Sequence, residues 1–103
     1  METKTPILDY LSDPTHWTKK SYARSANGFS CHAKDPAATC FCLMGALTKL
    51  SPPGRVIESM AKLENAIDTL PNKPAHLKTI VDFNDSDFTT HEKIVEVLKI
   101  AQI

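Results

Sequence analysis

The 103-residue chain reads as a mainly α member of the α+β class, about four helices around a central apolar helix (about 36–50) with a small β-hairpin (about 20–32). Three observations predict this. "AATCFCLMGALTKL" is apolar on nearly every side and bounded by Asp35-Pro36 and Ser51-Pro52-Pro53-Gly54, as a helix at the centre of a core would be. Val56, Met60, Leu63, Ile67 and Leu70 recur at spacings of four and three, the stripe of a covering helix. Asn27-Gly28 stands in the middle of "KSYARSANGFSCH", a pair that tolerates the positive φ of a tight hairpin turn.

In chain order, Thr5-Pro6 pairs an N-cap with a first-turn proline, and Ile7, Leu8 and Leu11 supply the face of a short helix. Asp13-Pro14 repeats the start signal and opens a helical turn carrying Trp17. The hairpin follows, with Tyr22, Arg24, Phe29 and Cys31 flanking its turn. Gly45 inside the central helix costs about 1 kcal/mol relative to Ala, so another part of the chain should pack closely against the backbone there. The stripe of the covering helix ends at Pro71, and residues 72–75 form a loop. Leu77, Ile80, Val81 and Phe83 make a run too short to assign to helix or strand. Thr89 or Thr90 caps the last helix, with Ile94, Val95, Leu98 and Ala101 on one face. No repeat, low-complexity segment or linker divides the chain, which predicts one compact domain with room for one short extra strand.

Composition excludes several function classes. Lys plus Arg equal Asp plus Glu at 12 each, so no global field draws the protein to nucleic acid or a membrane surface. No apolar run is long enough for a signal sequence or a membrane span. Three cysteines without framework spacing fit a reducing cytoplasm.

Four stretches could carry chemistry. In "DFNDSD", Asp82, Asn84 and Ser86 fall where the first ligands of a helix-loop-helix calcium site would be, but Asp87 and Lys93 occupy the positions that need Gly and Glu. The stretch reads better as a helix entry and core tether, with Thr89 and Glu92 as a capping box and Asp85 and Asp87 near the positive end of the helix dipole. Cys31, His32, Cys40 and Cys42 match no zinc spacing, so neither a metal nor a cofactor is expected. A thiol hydrolase or transferase would use Cys42 or Cys40, with His91 or His76 as base and Asn84 or Asp85 as orienter. Against it, free cysteines are among the most buried residues and this helix is apolar. Trp17, Lys19, Lys20, Tyr22 and Arg24 mix aromatic and basic groups as a nucleotide-binding surface would. A single core Trp ringed by solvated lysines gives the same pattern.

Trp17, the hairpin from Ala23 to Gly28, Cys42-Leu43-Met44-Gly45-Ala46 and Phe83-Asn84-Asp85 before a capped C-terminal helix together resemble a family of small uncharacterised proteins from bacteria and their phages. That family has a Cys-Leu-x-Gly-Ala helix and a Trp-Asn-Asp where this chain has Phe-Asn-Asp. The resemblance covers about residues 7–101 and implies a domain of unknown function, in which Trp17, Gly28, Cys42, Gly45, Asn84 and Asp85 meet in space. The candidate binding cluster is therefore Trp17, Tyr22, Arg24, Cys42, Asn84 and Asp85, with no catalytic residue assigned. The expected role is a non-enzymatic interaction protein in the cytoplasm, that of the bacterial host if phage-encoded. A host protein ranks first as partner, then a small ligand such as a nucleotide, and self-association is open. Inhibition of a host defence system would suit a phage protein, although no residue encodes it.

Overall fold

A computed structural model describes residues 5–103. Its elements are α1 (Pro6–Leu11), a 3₁₀ turn (Pro14–His16), β1 (Ala23–Ser25), β2 (Ser30–Cys31), β3 (Ala38–Phe41), α2 (Leu43–Leu50), α3 (Val56–Asp68), α4 (Ile80–Asp85) and α5 (His91–Ala101). The class is α+β and mainly α, with five helices and a three-stranded antiparallel sheet of order β2-β1-β3.

The hairpin forms where Asn27-Gly28 predicts it, but through a different turn. Gly28 alone takes positive φ, at 84°; its amide donates to the Ser25 carbonyl and the Ser25 amide to the Phe29 carbonyl, both at 2.9 Å. This is a three-residue loop closed by a glycine bulge rather than a two-residue turn.

The central helix is shorter than its apolar run. Asp35-Pro36 opens a turn, in which the Ala37 amide donates to the Asp35 carboxylate at 2.8 Å, and Ala38–Phe41 then pairs with β1 as a strand. Thr39 and Phe41 favour extended backbone, and β1 has a free edge to receive them. Cys42, not Asp35, is the N-cap of α2, its sulfur accepting from the Gly45 amide at 3.3 Å.

The other starts follow their caps. The Asp13 carboxylate accepts from the Thr15 amide at the 3₁₀ turn, and Thr79 caps α4 by accepting from Asp82, which settles residues 80–85 as helix. Thr5 makes no side-chain cap bond. Thr90 caps α5 by accepting from Lys93, so the proposed Thr89–Glu92 capping box does not form. Thr89 is buried and donates its hydroxyl to the Phe83 carbonyl instead.

One hydrophobic cluster joins every layer: Ile7 and Leu11 of α1, Phe41 of β3, Leu43 and Leu47 of α2, Leu63 and Ile67 of α3, Phe83 of α4, and Ile94 and Leu98 of α5. Val97 rather than Val95 completes the buried face of α5. No helix among the described residues is long and apolar enough to cross a membrane.

Candidate functional site

The site is built around the end of α4. Phe83 and Asn84 are fully buried there. A buried amide must have its hydrogen bonds satisfied, and Asn84 has four. Its Oδ1 accepts from the Trp17 indole Nε1 at 2.8 Å and from the Leu43 amide at 3.0 Å. Its Nδ2 donates to the Thr18 carbonyl at 3.1 Å and to Asp85 Oδ1 at 3.0 Å. One side chain thus fixes the segment after the 3₁₀ turn, the first turn of α2 and its own helix. Asp85 Oδ1 also accepts from the Lys20 amide at 2.8 Å, holding Lys20 in the left-handed region at φ 65°.

Lys19 closes the same end of α4. Its ammonium donates to the Ser86 and Thr89 carbonyls at 2.7 and 2.8 Å and lies 5.5 Å from the Trp17 ring centre. A cation at carbonyls following a helix C-terminus is favourably placed against the dipole.

Gly45 is the contact point between sheet and helix. A Cβ there would lie 1.9 Å from the Tyr22 carbonyl oxygen and 2.9 Å from its carbon, so only glycine lets the strand lie against α2. The Tyr22 carbonyl accepts from the Cys42 amide at 3.2 Å. The close approach expected at Gly45 is therefore the backbone entering β1.

Over this hydrogen-bonded floor opens a cleft of about 460 Å³. Tyr22, Cys31, Cys42 and Val81 form its apolar walls, and Lys20, Ser21, Ser30 and Asp85 its polar parts. Tyr22 is 57% and Val81 37% exposed, so two large apolar groups from separate parts of the chain line one depression.

Of the candidate cluster, Trp17, Asn84 and Asp85 are joined by hydrogen bonds, while Tyr22, Cys42 and Asp85 line the cleft. Arg24 stands apart. Its guanidinium donates to Thr18 Oγ1, the Gly28 carbonyl and the Lys19 carbonyl at 2.9, 3.0 and 3.3 Å, bracing the hairpin. Lys20, named with the aromatic-basic group but not in the candidate cluster, belongs to the cleft, as does Val81, to which the sequence assigned no role. Val81 carried one signal, an apolar residue beside a buried pair on a short helix.

Cys42 is both helix cap and cleft wall. Burial pushes its thiol above the usual range; the Gly45 and Met44 amides oppose this, and Asp85 adds to it. Burial, with Asp35 and Cys40, also raises the Cys31 thiol. The helix start that could activate Cys42 is thus outweighed, and His91 Nε2 is spent donating to the Leu11 carbonyl at 2.7 Å. We expect Cys42 to resist an aromatic disulfide reagent at neutral pH until the protein is unfolded; rapid labelling of the native protein at Cys42 would contradict this. Cys42→Ser should keep the cap and change stability by no more than about 1 kcal/mol, since Ser is a strong N-cap residue, measurable by urea denaturation.

The acidic stretch "DFNDSD" is helical as far as Asp85, and the Asn84 oxygen that a calcium site would use already accepts two protein donors. Among the described residues no three His, Cys, Asp or Glu side chains are grouped to hold a metal ion.

Residues 6–102 match a family described as a family of unknown function, DUF6197, and the chain belongs to it. No curated protein and no solved structure matches the chain.

Proposed function

We propose that this member of the family is a non-enzymatic binding module whose working surface is the cleft between the start of β1, β2 and α4, and that its partner is a protein. The observation that carries this reading is the pair Tyr22 and Val81, both large, apolar and exposed, lining one cleft from separate parts of the chain. Exposed apolar groups that converge on a concavity with a polar rim are the usual mark of an interaction site. Beneath them, Asn84 and Asp85 are engaged in internal bonds. The one buried thiol is held in its neutral form. This arrangement supplies shape and apolar area, without a poised nucleophile and base. The resemblance to bacterial and phage proteins makes a bacterial cell the place to look for the partner.

The test is site-specific photo-crosslinking in bacterial lysate. A benzophenone side chain at position 81 should trap a defined protein species that the same group at the still more exposed Ile57, on α3, does not. Tyr22→Ala should weaken its capture. Equal trapping from both positions overturns the reading. A native mass above that of the bare chain, lost in Val81→Glu, would replace the protein with a small ligand in the same cleft.

A further inference from the structure

The cleft is the first part of a longer groove. Tyr22 also borders a second depression of about 240 Å³, lined by His32, Ala33, Met44 and Thr48. Thr48 in turn borders a third, of about 670 Å³, with Lys34 and Lys49 on its rim. Neighbouring depressions thus share a lining residue, Tyr22 between the first and second and Thr48 between the second and third. One wall is β2 and the chain that follows it; the other is α2 from Cys42 to Lys49. Seven helical steps of 1.5 Å make that wall about 10 Å long, with Val81 and Asp85 extending it at one end.

Two features define what fits. First, β2 is an edge strand of the sheet. Because Phe29 offers its carbonyl to Ser25 and Ser30 pairs with Arg24, the alternation of antiparallel pairing turns the Ser30 amide and carbonyl away from β1, toward the open side. Both residues of β2 wall the cleft. The strand that carries the free edge is thus part of the cleft's wall. Second, the groove is charged unevenly. Lys34 and Lys49 line its far end, and none of the residues lining that end is acidic, whereas the near end carries Lys20 together with Asp85.

Resting on the binding-module reading, we propose that the groove takes an extended, acidic polypeptide segment. About four or five of its residues would lie along the wall. Its backbone pairs with Ser30, an apolar side chain enters between Tyr22 and Val81, and an Asp or Glu side chain meets Lys34 and Lys49. An unpaired strand edge supplies main-chain hydrogen bonds, while the adjoining pockets select side chains.

The probe is a yeast-displayed library of random peptides selected on the intact protein. Enriched peptides should share an apolar residue with Asp or Glu within about five positions of it. A synthetic consensus peptide should shift the Ser30 amide resonance. Its affinity should fall about tenfold or more in the Lys34→Glu, Lys49→Glu double variant and in Val81→Glu. All three positions are exposed, and amide spectra will show whether the variants stay folded. Enriched peptides without acidic residues, or indifferent to both lysines, overturn the proposal. No enrichment, with a protein still trapped at position 81, overturns the extended segment and leaves the binding module standing. Concentration-dependent dimerisation abolished by Val81→Glu would put a second copy of the chain in the groove instead and overturn it too.

Discussion

Asn84→Ala should destabilise the protein by about 3–5 kcal/mol, a large part of the roughly 5–15 kcal/mol that holds a domain of this size folded. The loss does not come from volume alone. Truncation strands the Trp17 indole N–H and the Leu43 amide, both of which donate to Asn84 Oδ1, and removes the donor to the Thr18 carbonyl. Each buried group left without a partner costs about 1–3 kcal/mol. Urea denaturation measures the effect, and a second variant separates this account from a general packing defect. Trp17→Phe deletes the same indole donor, so it should cost less in the Asn84→Ala background than in the natural sequence. Additive losses, or a shift below about 1 kcal/mol for Asn84→Ala, would refute the account.

Gly45→Ala should cost at least about 2–3 kcal/mol, although helix propensity alone would favour Ala by about 1 kcal/mol. The new methyl would meet the Tyr22 carbonyl oxygen at 1.9 Å. That oxygen belongs to backbone leading into β1 and accepts from the Cys42 amide, so neither side can yield without parting sheet from helix. The same denaturation experiment decides it. A neutral or stabilising outcome would mean that α2 and β1 can separate at little cost.

Much of this was legible in the sequence because it rested on single residues with few conformational options. A glycine inside an apolar helix announced a close approach, and the structure supplies Tyr22 as the neighbour. Asn84-Asp85 after an apolar residue announced a tether, and the tether exists, although it ends α4 instead of introducing α5. Other features had no local signature. Ala38–Phe41 continues the apolar run of α2, and only pairing with β1 separates strand from helix there; periodicity in a short apolar stretch cannot make that distinction. Thr79 was a sufficient cap for α4, but a six-residue helix contains too few turns to show a period. Arg24 was grouped with Trp17 by composition, whereas its bonds run to Thr18, Lys19 and the turn at Gly28. The cleft depends on the fold bringing Tyr22 and Val81 to one depression, and no spacing encodes that.

The Asn84 cluster also bears on how the chain reaches its native state. Asn84 takes the indole of Trp17 across 67 positions and the amide of Leu43 across 41. Loops of those lengths must close before any of these bonds can form, and closure entropy grows with length. Local pieces, such as the hairpin at Gly28 and α3, can form from neighbouring residues, but the cluster cannot. Substitutions at Asn84 should therefore act mainly on the unfolding rate and leave the refolding rate nearly unchanged, the behaviour of contacts made after the main barrier. The cluster would then serve as a latch that sets the lifetime of the folded protein more than the speed with which it forms.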